Sequence, residues 1–359
     1  MKRGVAYFLL LLLLTVPAKA LIPEEVETAA PEAARELWES LDGTANQNTL
    51  WNGVRRLFEK TVEFCGENLK SIAGSVTGLL SAVFLSTLAQ ECINTSQHPT
   101  MVNYAPMAGV LAITLIAAGS VKSMMGLAAQ TIEELDVFAK ALLPTLAAAT
   151  AAGGGVVSAS ARQVTTVVFS NLLLSLIHQV LMPMVYYYIA ALAVDTVLSE
   201  HPLQGMASGI KKAVVWALTG TMTVFAGYLT ISGAVASAGD ALTIRVAKSA
   251  VSTAVPVVGS IISEAAGSVL ASTLLLKNSV GIFGILGILA VCLSPFLTIG
   301  IQYLLYKTAS FVCGVMGRNE LVEYIRQLGG AFGMMLGMVA SSGLLLLLSM
   351  ISSISAVMV

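Results

Sequence analysis

Residues 279–306 read SVGIFGILGILAVCLSPFLTIGIQYLLY, with no charged side chain between Lys277 and Lys307. A helix crossing a bilayer needs about 20 consecutive apolar residues, and this run exceeds that. Its one interruption is Pro295, which lacks a backbone N–H and marks a hinge or kink. The stretch therefore reads as a membrane helix, and the remaining chain can be measured against it.

That chain has the same character. Of 359 residues, 56% are hydrophobic and 11% charged, with a mean hydropathy of +0.84. Soluble domains carry about 25% charged residues, so a soluble enzyme and a disordered chain are both excluded. The formal net charge of −1 offers no basic footprint for nucleic acid. Further apolar stretches lie at 71–90, 106–121, 141–160, 164–198, 213–236, 253–276 and 330–359. The stretch 164–198 reads either as one long tilted helix or as a hairpin at Pro183. The expected fold is an all-α polytopic membrane protein with about seven to eight transmembrane helices.

Ahead of this block stands a different kind of sequence. Lys2 and Arg3 precede an apolar run from Val5 to Val16, and Ala18-Lys19-Ala20 is a small-x-small cleavage site. Residues 1–20 thus read as a signal peptide. Residues 21–70 carry ten of the twenty acidic side chains, and read as a helical extracytoplasmic or juxtamembrane segment. The membrane domain is 71–359. Bases occur in most of its loops, and the clearest polar loops, 199–212 and 307–329, are placed on the cytoplasmic side.

The membrane block matches itself. Shifted by 112 positions, Pro144 falls on Pro256, Pro183 on Pro295, and Thr131-Ile132 on Thr243-Ile244. Each half, about 106–212 and 213–318, then holds an apolar span, a weakly polar amphipathic helix (123–140, 237–252), a Pro-led small-residue stretch, a Pro-broken span and a basic loop. An internal duplication is expected, with Pro144, Pro183, Pro256 and Pro295 as hinges. Duplicated halves with interrupted helices commonly build transport pathways.

Ionisable side chains within an apolar block are costly and face protein or water. Asp240, Arg245, Lys248, Glu264 and Lys277, with His178 beside Gln179 and Asp195, are the candidates for a polar pathway or for structural packing. Arg245 and Lys248 share a helix face. Glu264 sits among small residues that permit close helix approach. No catalytic, cofactor or metal site is expected. Cys65, Cys92, Cys292 and Cys313 lack metal-ligand spacing, and neither a P-loop nor a His-Glu-x-x-His motif occurs. Ser237-Ala238-Gly239-Asp240 only partly matches the Gly-x-Gly-Asp of intramembrane aspartyl proteases, since the first glycine is missing.

The block Gly239-Asp-Ala-Leu-Thr-Ile-Arg-Val-Ala-Lys248, with Val255-Pro-Val-Val-Gly259, Ser263-Glu264-Ala265 and Lys277-Asn-Ser-Val-Gly281, resembles the stage III sporulation protein AE family of endospore-forming bacteria. The resemblance implies a non-enzymatic membrane subunit of the secretion-like channel between mother cell and forespore, in the mother-cell membrane surrounding the forespore. It implies as partners the other stage III sporulation A membrane proteins and a forespore protein across the intermembrane space. Two other readings stand beside it: a secondary transporter of a small solute built from duplicated halves, and a non-conducting scaffold recruiting ring-forming partners through residues 21–70.

Overall fold

Buried side chains recur three or four residues apart along residues 105–152: Ile113, Ala117, Val121, Met125, Ala128, Ile132, Leu135, Ala139, Leu142 and Leu146. One stripe of a helix is thereby committed to the protein interior over its whole length. The computed structural model describes residues 24–40, 47–95, 105–152, 156–198, 202–254, 259–315 and 319–355; the side chains of 233–278 and of several shorter stretches lie outside the description. Every element among the described residues is helical: α1 (Glu24–Ala29), α2 (Glu32–Glu39), α3 (Gln47–Thr95), α4 (Ala105–Ala152), α5 (Val156–Leu176), a π-helical turn (Ile177–Leu181), α6 (Met182–Val197), α7 (Gln204–Ala254), α8 (Gly259–Val315) and α9 (Asn319–Ser355).

Five of these helical stretches are long and apolar enough to cross a membrane: Met107–Ala151, Gln163–Thr196, Gln204–Ser232, Ser279–Val315 and Leu321–Ile354. A shorter apolar helix, Thr77–Ala89, lies in α3. The figure differs from seven to eight because apolar stretches merge. The run 106–121 and residues 141–152 of the next run belong to one helix, α4, since the buried stripe continues through Glu133, Glu134 and Asp136. Likewise residues 259–276 are continuous with 279–306 in α8. At about 1.5 Å per residue, the 57 residues of α8 extend roughly 85 Å, far more than the ~30 Å bilayer core.

The stretch 164–198 is a continuous rod and not a hairpin. Met182 donates its N–H to the carbonyl of Ile177, an i→i+5 bond within the π-helical turn. Pro183 follows directly and cannot donate to the preceding turn. The wider turn accommodates the missing bond without ending the helix. Pro144 and Pro295 likewise lie inside continuous helices, while Pro256 lies outside the described residues, as do Ala18 and Ala20. Each described half consists of two very long helices. Their ends do not keep the 112-residue offset: α4 ends at Ala152 and α7 at Ala254, α6 at Val197 and α8 at Val315.

The core is organised around α9, which touches α4, α5, α6, α7 and α8. It is buried nearly all round; Met334, Met335 and Met338, which look like ordinary apolar filler in the sequence, are central core residues. Close approach relies on glycine. A Cβ on Gly343 would come 2.7 Å from Cys292 Sγ, and one on Gly287 would come 2.8 Å from Phe138 Cζ. In lipid, such tight packing of small residues replaces the hydrophobic drive that holds soluble bundles together. The outward faces carry exposed apolar side chains, including Leu115, Val164, Trp216 and Ile231, as a lipid-facing surface requires.

Candidate functional site

The helix pairs fix a direction through the bundle. Gly281 of α8 abuts Ile354 of α9, and Gly329 of α9 abuts Tyr306 of α8, so the two run antiparallel. Gly109 near the start of α4 meets Ser86 of α3 and Leu321 of α9, and Thr114 Oγ1 lies 2.6 Å from the Tyr324 hydroxyl. The end of α3 and the starts of α4 and α9 therefore lie together, and the far ends of α4 and α9 lie at the opposite pole.

The first pole is basic. Lys211, Tyr303, Lys307, Glu323, Arg326, Gln327 and Gly330 line a pocket of about 240 Å³ between α7, α8 and α9. Its carboxylate, Glu323, pairs with Arg326 and accepts a hydrogen bond of 2.6 Å from Gln327 Nε2. The Tyr188 hydroxyl donates to the Gln327 carbonyl at 2.8 Å, tying α6 to α9. Lys307 Nζ stands 5.5 Å from the Tyr303 ring centroid. Asp195, buried at the end of α6, accepts the Leu203 N–H at 2.7 Å and so fixes the turn into α7. Loops that the sequence places on one side, 199–212 and 307–329, do converge here.

The second pole is acidic and is closed by the N-terminal segment. In α2, Ala34, Leu37 and Trp38 are buried while Glu32 and Glu39 are exposed. The Trp38 indole N–H donates to the Phe283 carbonyl at 3.2 Å, and its ring lies 6.1 Å from Phe138 and 6.2 Å from Phe283. Gly287 leaves room for it. Glu133 and Glu134 project from α4 nearby in sequence, and Asp136 pairs with Lys140 at 2.5 Å.

Helix α3 connects the poles and is unlike the others. Gly53 packs on Leu286 and Gly78 on Ile116, so α3 runs alongside the apolar spans of α8 and α4. Arg55, Arg56, Glu59, Lys60 and Glu63 are nevertheless exposed on it. Arg55 pairs with Glu59 at 2.9 Å, and Lys60 pairs with Glu36 of α2. Leu286 and Lys307 are separated by about 32 Å of helix, one bilayer core. Glu63 lies ten residues, about 15 Å of helix, beyond Gly53, and three residues beyond Lys60, which reaches back to α2.

The residues singled out from sequence distribute unevenly. His178 and Gln179 are exposed in the π-helical turn, and no group of three metal-binding side chains occurs among the described residues. Asp240, Arg245 and Lys248 fall on α7 beyond Ser232, and Glu264 and Lys277 on α8 before Ser279; their side chains lie outside the described residues. The structure adds the basic pocket, the Trp38 dock and the charged face of α3. Of these the pocket had a sequence signal in the two basic loops, and α3 had one in the apolar stripe through Val54, Leu57 and Val62; Trp38 in an acidic segment carries none.

No solved structure matches the chain. Stage III sporulation protein AE of Bacillus subtilis (strain 168) is 24% identical over 244 residues, 68% of this chain. The match covers 61% of that relative's length. The family model for stage III sporulation protein AE matches residues 37–357, from within the Trp38-bearing helix to just past the end of α9. By that match, the chain belongs to the stage III sporulation protein AE family.

Proposed function

We propose that the chain is a membrane subunit of the mother cell–forespore channel complex and that it forms or surrounds the membrane passage. The observation that carries this reading is the run of exposed charges, Arg55 to Glu63, on α3, a helix that packs along α8 and α4. An exposed Glu59 or Glu63 facing lipid would be costly, and such groups in membrane proteins face water or other subunits. A helix whose outer side mixes these charges with the exposed Trp51, Phe58 and Val62, placed at the rim of a bundle, suits a wall shared with other subunits along an aqueous route. The rest of the complex, the other stage III sporulation A membrane proteins and a forespore partner, supplies the remaining wall.

The orientation follows from charge. Lys211, Lys212, Lys307 and Arg326 mark the cytoplasmic pole. The acidic pole with α1 and α2 then lies on the exported side, after a cleaved signal at 1–20. The long ends of α7 and α8, with Asp240, Arg245, Lys248, Glu264 and Lys277, continue the route beyond the bilayer. The duplicated Pro-led elements at 144–160 and 256–272 line or gate it. The full span count includes the apolar part of α3.

The test is genetic. Replacing Glu59 and Glu63 together by Leu removes the charge from α3 and would be neutral on a lipid-facing helix. On this reading the double variant blocks sporulation while remaining in the membrane at normal levels. Normal spore yield from it would overturn the assignment of α3 to the passage. The scaffold reading is favoured by one feature, the exposed acidic side of α2, and predicts instead that only changes at Glu32 and Glu39 matter.

A further inference from the structure

The pocket at the basic pole is poorly neutralised by the protein itself. Three bases line it, Lys211, Lys307 and Arg326, against one carboxylate, Glu323. That carboxylate is already engaged by Arg326 and Gln327. Lys211 and Lys307 have no acidic partner among the described residues; Lys307 leans on the Tyr303 ring, and Lys211 Nζ reaches over Gly330, 3.3 Å from where a Cβ would stand. Glycine at 330 therefore keeps the ammonium group inside the pocket.

The depth of this cluster is as informative as its charge. Immediately beyond Lys211 and Lys307 the chain turns apolar, at Val214 to Ser232 and back through Tyr306 to Ser279. Trp216, 80% exposed, sits one and a half turns below Lys211, where aromatic side chains anchor at the headgroup level. A cavity of about 240 Å³ with two uncompensated ammonium groups at that level meets phosphate more than any other anion.

We infer that this pocket binds a phosphate group, held by Lys211 and Lys307 with Arg326 at its rim, and borne either by an anionic lipid headgroup or by a free phosphate. The inference needs the membrane placement of the spans and is independent of whether the chain forms a passage. Occupation would clamp α7 to the α8–α9 pair at this pole.

The experiment uses the full chain, purified in detergent and titrated with phosphatidylglycerol or with phosphatidylcholine, with retained lipid counted by native mass spectrometry. Wild-type protein is expected to retain phosphatidylglycerol preferentially. Lys211→Ala with Lys307→Ala is expected to weaken retention by about tenfold, whereas Lys122→Ala, an exposed lysine outside the pocket, leaves it unchanged. The double Arg variant at the same positions, which keeps the charge, is expected to restore it. Displacement of the lipid by millimolar inorganic phosphate assigns the pocket to a free phosphate; persistence of the lipid assigns it to the headgroup. Equal retention by wild type, Lys122→Ala and the double Ala variant would overturn the inference, as would equal retention of the two lipids.

Discussion

At the acidic pole one indole, Trp38, joins a helix from the N-terminal segment to α4 and α8 by an apolar dock with a single hydrogen bond. At the basic pole the helices are joined by polar contacts: Tyr188 to Gln327, Gln327 to Glu323, Asp195 to Leu203. The contrast follows from what each pole must hold. The acidic segment carries too much like charge to bind by ion pairs alone, so its attachment adds a buried apolar face, Val26, Ala30, Ala34, Leu37 and Trp38, to the Lys60–Glu36 pair. The basic pole is made of helix ends, whose unpaired backbone groups and flanking side chains can satisfy one another. Charge sorts the ends across the membrane, and apolar packing or hydrogen bonding then holds each in place.

Breaking the apolar dock should have the larger effect. Trp38→Ala removes a buried ring from between Phe138, Phe283 and Gly287 and is expected to cost about 3–5 kcal/mol in thermal unfolding of the solubilised protein. The same variant should become sensitive to protease within α2, residues 32–39, since α2 loses its anchor. At the basic pole, Asp195→Ala leaves the Leu203 N–H without its acceptor and is expected to cost about 1–3 kcal/mol, read in the same assay. A larger loss from Asp195→Ala than from Trp38→Ala would reverse the contrast between the poles.

Much of the fold was legible because a bilayer makes strong demands on composition. A run such as 279–306, without a charge, can be little else than a buried helix, and the clustering of bases in 199–212 and 307–329 anticipated their shared pole. Less legible were features that depend on what a helix packs against. Residues 123–140 look like a separate amphipathic helix, yet their apolar period stays in phase with the flanking runs, so α4 never ends. Pro183 reads as a possible turn, but a single i→i+5 bond absorbs it. The Trp38 dock requires a gap at Gly287, some 250 positions away in sequence, which no local pattern encodes. The charged side of α3 was visible as an amphipathic stripe with Val54, Leu57 and Val62. Its packing along α8 and α4 was not, because that is set by the Gly53–Leu286 and Gly78–Ile116 contacts.

The charged face of α3 is the point on which the functional reading rests, and its exposure to water can be measured directly. In a chain freed of its native cysteines, single cysteines at Glu59 and Glu63 are treated in sporulating cells with a membrane-impermeant thiol reagent. Cysteines at Leu115 and Val164, exposed on the apolar faces of α4 and α5, serve as comparison. Labelling at both α3 positions and none at the other two is the predicted result. Equal protection of all four would contradict an aqueous passage along α3.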